Sequence, residues 1–373
     1  MNQKTNHANY TSLSARPTQV TAILRHQLEM LWEKPEHAGE VAPVMLWGAP
    51  GVGKSSIVAG LCEELDIELI DIRLAQRDPV DIRGLPVPGD NGVEWMLSSD
   101  WPRDPESRGI ILFDELTAVD RSLQVAVYEL ILDRRLGSLY QVPPGWLMVA
   151  AGNRGGDRAV ATTMSSALAN RFCHLEVAPE LADWLGWAQQ ADIHPDVIGF
   201  LRFCPECFHD MRGDLERGWP SARSWERVSH LVERDRLDDD TLELMIGGLV
   251  GVGAGRQFMA FREVAAQLPD VERLLHHPDE FKLPKKADQR YALCAALVHH
   301  LWRGSEESLE QRVEGFLEIG LELPSDFAAM AMTDALGNRA HRGRRIDRLI
   351  GHSLMKDWRE RHGQAFELER KAA

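Results

Sequence analysis

Apolar positions in the first half of the chain change period several times. Over residues 20–32, Val20, Ile23, Leu24, Leu28 and Leu31 recur at helical spacing, and Pro35 ends the run. Val44-Met45-Leu46-Trp47 is a short continuous apolar run that enters a Gly-rich turn, and residues 55–65 read as a helix. Residues 66–74 read as a second strand, with Ile67, Leu69 and Ile72 expected on one face. Residues 76–108 carry five prolines and several glycines, and they predict a loop-rich stretch with a hairpin around Asp90-Asn91-Gly92. An apolar strand at 109–115 ends in two acids. A helix follows at 122–135, then a strand at 146–151.

Strands that alternate with helices as far as residue 178 predict a three-layer α/β domain around a parallel sheet. Beyond Pro179 the strand signal stops. The chain becomes a series of helical segments broken at Pro195, Pro220, Pro269, Pro284 and Pro324. Trp184 and Trp187, three apart, are expected on one packed face of the first of these helices. Residues 1–19 read as a polar lead-in.

Composition narrows the function classes. The 373 residues are 44% hydrophobic, enough for large cores without disulfide staples. With 42 Lys+Arg against 57 Asp+Glu, the formal charge is −15, which argues against broad, non-specific nucleic-acid binding. The five cysteines, Cys62, Cys173, Cys204, Cys207 and Cys294, are odd in number and irregular in spacing, so reduced thiols are expected. No apolar run is long enough to span a bilayer, and the polar opening lacks the apolar core of a signal peptide. A cytoplasmic protein without a membrane partner is therefore expected.

Gly48-Ala49-Pro50-Gly51-Val52-Gly53-Lys54-Ser55 fits G-x-x-x-x-G-K-[ST] at every fixed position, after a strand and at the opening of a helix. Glycines let the backbone turn successive N–H groups toward phosphate, and the helix N-terminus adds positive dipole. Gly48, Ala49, Pro50, Gly51, Val52, Gly53, Lys54, Ser55 and Ser56 are the expected nucleotide contacts. Lys54 is expected on the β/γ-phosphates and the Ser55 hydroxyl on Mg²⁺. The strand ending in Asp114-Glu115 supplies the other half: Asp114 beside the metal, Glu115 polarising the attacking water. Asn153 closes the next strand with an amide able to reach both γ-phosphate and water.

These elements in this order resemble the AAA+ ATPases, and most closely the MoxR group within them. The resemblance runs through Trp47-Gly48-Ala49-Pro50-Gly51-Val52-Gly53-Lys54-Ser55 and the segment Asp78-Pro79-Val80-Asp81-Ile82-Arg83-Gly84-Leu85-Pro86. It continues in Leu112-Phe113-Asp114-Glu115-Leu116, Ala150-Ala151-Gly152-Asn153-Arg154 and Ala167-Leu168-Ala169-Asn170-Arg171-Phe172. It ends at Pro220-Ser221-Ala222-Arg223-Ser224-Trp225-Glu226. It covers about residues 20 to 230. It implies a P-loop three-layer AAA+ core over 20–178 with an insertion near 75–108, an all-helical lid over 179–265 and a helical C-terminal extension over 266–373. It also implies Mg²⁺-dependent ATP hydrolysis in a ring, a homo-hexamer, that remodels a protein client. A protein with a von Willebrand factor A domain would be the partner. Arg171 takes the position of the arginine finger offered to a neighbour's ATP, and Arg223 that of the sensor-2 arginine. The family's proline before that arginine is Ala222 here. The insertion forms a loop or hairpin that can face the centre of the ring.

Other signals carry less. Cys204-Pro205-Glu206-Cys207 with His209, and Cys173-His174, lack the second paired set of a zinc site and read as thiols. Gly251-Val252-Gly253-Ala254-Gly255 has no strand before it and reads as close helix packing or a helix break rather than a dinucleotide fingerprint. His276-His277 and His299-His300 do not form H-E-x-x-H and read as packing or surface. Arg339, Arg342, Arg344, Arg345 and Arg348 form a basic cluster in an acidic chain. They are the support for an alternative reading, a nucleic-acid-acting motor. A nucleotide-gated scaffold with little turnover is a further alternative, disfavoured by the intact Asp114-Glu115 pair.

Overall fold

In the computed structural model the short apolar runs of the first half become the strands of one parallel sheet. The structure describes residues 14–89, 92–154, 162, 164–213, 215–234, 237–303, 305–337 and 339–372. The strands are β1 (Ser14–Ala15), β2 (Val44–Trp47), β3 (Glu68–Arg73), β4 (Leu85–Gly89), β5 (Gly92–Met96), β6 (Gly109–Asp114), β7 (Arg135–Leu136), β8 (Tyr140–Gln141), β9 (Trp146–Gly152) and β10 (Cys173–Val177). Six of them order as β1-β10-β2-β9-β6-β3, all pairs parallel. The helices of this part are α1 (Pro17–Glu33), α2 (Lys54–Leu65), α3 (Pro79–Arg83), α4 (Arg121–Asp133) and α5 (Ser166–Ala169).

Strand alternation divides the apolar residues between two cores, one on each face. Val44, Leu46, Ile110, Leu112, Leu147 and Val149 pack with Val20, Leu24 and Leu28 of α1 and Val58 and Leu61 of α2. Met45, Ile111, Phe113, Met148 and Ala150 pack with Leu123, Val127, Leu130 and Ile131 of α4. The three-layer α/β fold expected from the sequence is thus present.

Two local expectations need correction. Ile67, Leu69 and Ile72 do not share a face: Ile67 and Leu69 pack on the α1/α2 side, while Ile72 joins the α4 side. Residues three apart on a strand point to opposite faces. The polar lead-in also ends early, since Ser14–Ala15 adds an edge strand beside β10 and α1 begins at Pro17. The expected hairpin is β4–β5, and its turn residues 90–91, like residues 1–13, lie outside the described residues.

The chain divides into two compact units, Met1–Pro179 and Glu180–Ala373. The second unit is helical: α6 (Leu181–Gln190), α7 (Pro195–Phe203), α8 (Ala222–Glu233), α9 (Asp239–Val250), α10 (Val252–Ala265), α11 (Val271–His276), α12 (Ala287–Trp302), α13 (Leu309–Glu322), α14 (Ser325–Leu336), α15 (Arg339–Gly351) and α16 (Leu354–Ala372). It holds two cores. One gathers Phe200, Trp225 and Phe258, and the other Leu301, Phe316 and Trp358; α12 gives Ala292 and Ala295 to the first and Leu293, Leu297 and Leu301 to the second. A further expectation is corrected here: Trp184 and Trp187 touch at 5.9 Å between ring centroids, but Trp184 is buried and Trp187 exposed, so they do not form one packed face. The glycine run at 251–255 lets α9 and α10 cross closely: a Cβ at Gly255 would stand 3.0 Å from Gly247 backbone.

Candidate functional site

The site lies where β2, β6 and β9 end, because parallel strands deliver their C-terminal residues to one edge of the sheet. Gly48–Gly53 leaves β2 and turns into α2. Gly53 sits at φ 94°, in the left-handed region that glycine enters without strain, and no side chain caps the α2 N-terminus. The first-turn N–H groups of α2 are therefore directed at the site without a side-chain acceptor.

Lys54 is buried, and its ammonium lies across the loop. It donates to the Gly48 carbonyl at 2.7 Å, the Ala49 carbonyl at 3.1 Å and Asn153 Oδ1 at 3.0 Å. Ser55 Oγ donates to Asp114 Oδ2 at 2.6 Å. The structure thus brings together Lys54, Ser55, Asp114 and Asn153, four of the residues picked from sequence. Burial, and next the Asp114 carboxylate, raise the Asp71 carboxyl above its ordinary value. Asp71 therefore feels negative charge from the end of β6, which Arg73, 3.6 Å away, offsets in part. A hydroxyl and a carboxylate side by side in such a field suit a hard divalent cation, so the oxygen set fits Mg²⁺.

Glu115 follows at once. Its φ is 61°, unusual for a residue with a side chain, and its N–H donates to Asp114 Oδ1 at 2.8 Å. A non-glycine residue in that region costs of order 1–3 kcal/mol, and such strain gathers at functional sites. The turn leaves the Glu115 side chain exposed at the strand end, while Asp114 stays partly covered.

Sequence reading missed Thr117. It is buried; its hydroxyl donates to the Asn153 carbonyl at 3.1 Å and accepts the Asn153 N–H at 3.1 Å, which fixes the backbone that presents the Asn153 amide. A polar residue two places after Glu115 was the available signal. Arg154, next in line, pairs with Glu176 of β10.

Arg171 lies away from this cluster on the turn after α5. It is exposed, and among the described residues its guanidinium meets no partner. Arg223 is exposed in the first turn of α8. That helix starts without the proline the family resemblance implies, because Ser221 caps it: Ser221 Oγ accepts the Ser224 N–H at 3.2 Å, and Ser224 Oγ accepts the Ser221 N–H at 2.8 Å.

The discounted motifs have plain roles. Cys204 and Cys207 are buried with their sulfurs 3.3 Å apart, and burial pushes both thiols up. Among the described residues no group of three or more His, Cys, Asp or Glu is arranged to hold a metal ion by itself, and no helix is long and apolar enough to cross a membrane. In the basic cluster Arg345 and Arg348 pair with Glu306; the side chains of Arg339, Arg342 and Arg344 lie outside the described residues, as does that of Ala167.

No family model matches the chain. A stretch of 94 residues, 25% of this chain, is 32% identical to midasin of Giardia intestinalis, of which it spans 2%. Among solved structures, the RuvB Holliday junction branch migration motor of Thermotoga maritima is 17% identical, with 80% of this chain and 88% of that chain covered and a TM-score of 0.34. NtrX from Brucella abortus in complex with ATP is 15% identical over 89% of this chain and 68% of that one, at 0.33. What the chain's own strands and loop establish is the fold class, a P-loop α/β core around a parallel sheet with a helical region after it.

Proposed function

We propose that the chain is a Mg²⁺-dependent ATP hydrolase of the MoxR type that works as a ring, a hexamer, on a protein client. The observation that carries the catalytic part is the convergence of Lys54, Ser55, Asp114 and Asn153, with Glu115 held in a left-handed turn beside them. The loop N–H groups and Lys54 bind the phosphates. Ser55 and Asp114 hold Mg²⁺, which supplies charge neutralisation on the phosphate oxygens when bound. Glu115 orients and deprotonates the attacking water. Asn153, on the backbone that Thr117 pins, donates its amide to the γ-phosphate. Arg171 reaches a neighbouring subunit's nucleotide and offsets the charge that develops on the γ-phosphate. The sequence resemblance alone gives Arg223 the sensor-2 role.

The exposure of Arg171, without a partner for its guanidinium among the described residues, supports its use in trans. The protein client, and a von Willebrand factor A domain partner, rest on the sequence resemblance alone. The pairing of Arg345 and Arg348 with Glu306 lessens the positive charge on which a nucleic-acid motor would depend. The test is affinity capture with tagged Glu115→Gln protein, with and without ATP. A single protein retained only with ATP supports remodelling. Nucleic acid retained instead, and released by nuclease, overturns it.

A further inference from the structure

His174 links the end of the P-loop strand to the turn that carries Arg171. Trp47, the residue before Gly48, donates its indole N–H to His174 Nδ1 at 2.8 Å, and the two rings stack at 5.9 Å between centroids. The other ring nitrogen, Nε2, lies 2.7 Å from the Ala169 carbonyl. An indole N–H can only donate and a carbonyl can only accept, so the partners fix one tautomer: Nδ1 accepts and Nε2–H donates. Ala169 is the last residue of α5, and Arg171 is two residues on.

The turn is fixed on both sides of Arg171. Leu168 and Phe172 are buried in the core on the α4 face of the sheet, and the Arg171 N–H donates to the Leu168 carbonyl at 3.0 Å. The Phe172 ring also lies 6.0 Å from the His174 ring. His174 itself is exposed and outside both cores. Both its nitrogens are engaged, yet it buries little, so its contribution is to geometry rather than to core packing.

We propose that His174 is a positioning residue for Arg171: by bridging Trp47 to the Ala169 carbonyl, it sets the arginine a subunit offers its neighbour against that subunit's own P-loop strand. The inference rests on the trans role of Arg171 given above. It follows that loss of the bridge impairs the neighbour's hydrolysis and leaves the altered subunit's own ATP binding intact.

The test uses full-length protein with Mg²⁺ and ATP, and compares His174→Phe, His174→Gln and Arg171→Ala. Phenylalanine keeps a ring beside Trp47 but neither hydrogen bond. Glutamine restores an acceptor and a donor. His174→Phe is expected to lose about tenfold in turnover, a fraction of what a whole arginine finger supplies, with ATP affinity unchanged. His174→Gln should recover most of that loss. Mixing His174→Phe with Glu115→Gln, which brings an intact Arg171 but no working site, should raise turnover per His174→Phe subunit, as it should for Arg171→Ala. Trp47→Phe, which keeps a ring and lacks the N–H, should shift turnover in the same direction. Three results overturn the proposal. If Arg171→Ala is impaired but His174→Phe hydrolyses normally, the bridge does nothing. If mixing rescues Arg171→Ala but not His174→Phe, His174 acts within its own subunit. If Arg171→Ala hydrolyses normally, the trans arginine falls and this inference with it.

Discussion

Lys54 and Asn153 stand 99 positions apart in sequence, and the Lys54 ammonium donates to the Asn153 side-chain oxygen at 3.0 Å. The sheet brings them together. β2 and β9 are neighbours, with Trp47 opposite Gly152, so the residues that leave the two strands emerge side by side. One side chain from the phosphate loop and one from the strand end are thus set against each other, which is the kind of positioning a phosphoryl-transfer site needs.

Lys54→Ala should weaken ATP binding by at least about tenfold, because a charged donor to a phosphate oxygen is worth more than a neutral hydrogen bond. Titration with a fluorescent ATP analogue measures it. Wild-type affinity in this variant would remove the P-loop from the account.

Thr117→Val replaces the hydroxyl that both donates to and accepts from the Asn153 backbone. It should cost about 1–3 kcal/mol in chemical denaturation, since two backbone groups lose their partner. Turnover should drop several-fold while ATP affinity stays within about twofold, as expected for a group that orients a sensor rather than binding nucleotide. Equal losses in affinity and turnover would place Thr117 in binding instead.

Arg171→Ala should bind ATP and hydrolyse it poorly, and addition of Glu115→Gln subunits should restore part of the turnover. Each variant supplies what the other lacks only if the arginine acts across a subunit boundary. A mixture no more active than the Arg171→Ala protein alone would place the arginine in its own subunit or outside catalysis.

The helical unit should lose stability in acid through His299. Burial first, then Arg303 and His300, lower its pKa from 6.5 to about 3. Between those values the unfolded chain binds a proton that the folded one refuses, so stability falls as pH drops from about 6.5 toward 3. Melting temperature against pH should therefore slope more steeply in the wild type than in His299→Leu over that window. Parallel slopes would contradict the assignment.

The phosphate loop, the acidic strand end and Asn153 were legible because each is a contiguous motif at the end of an apolar run, and a parallel sheet delivers strand ends to one place. Thr117 was not, since its partner lies 36 residues away and no local pattern marks a hydroxyl that braces a backbone. The Trp47–His174 bond joins residues 127 apart, and in sequence His174 stood out only beside Cys173, in a zinc-like pattern that lacks its second half. Strand parity, by contrast, was available for Ile67, Leu69 and Ile72 and should have split them. β1, β7 and β8 are two residues each, too short for periodicity to register.

The most direct test of the central claim is ATP turnover by wild-type and Glu115→Gln protein, with Mg²⁺ and with EDTA, alongside ATP binding by both. The wild type should hydrolyse ATP only with Mg²⁺. Turnover should fall about a hundredfold or more in Glu115→Gln, as befits a lost general base, with ATP binding retained. Turnover that ignores EDTA, or that is equal in the two proteins, would contradict the claim.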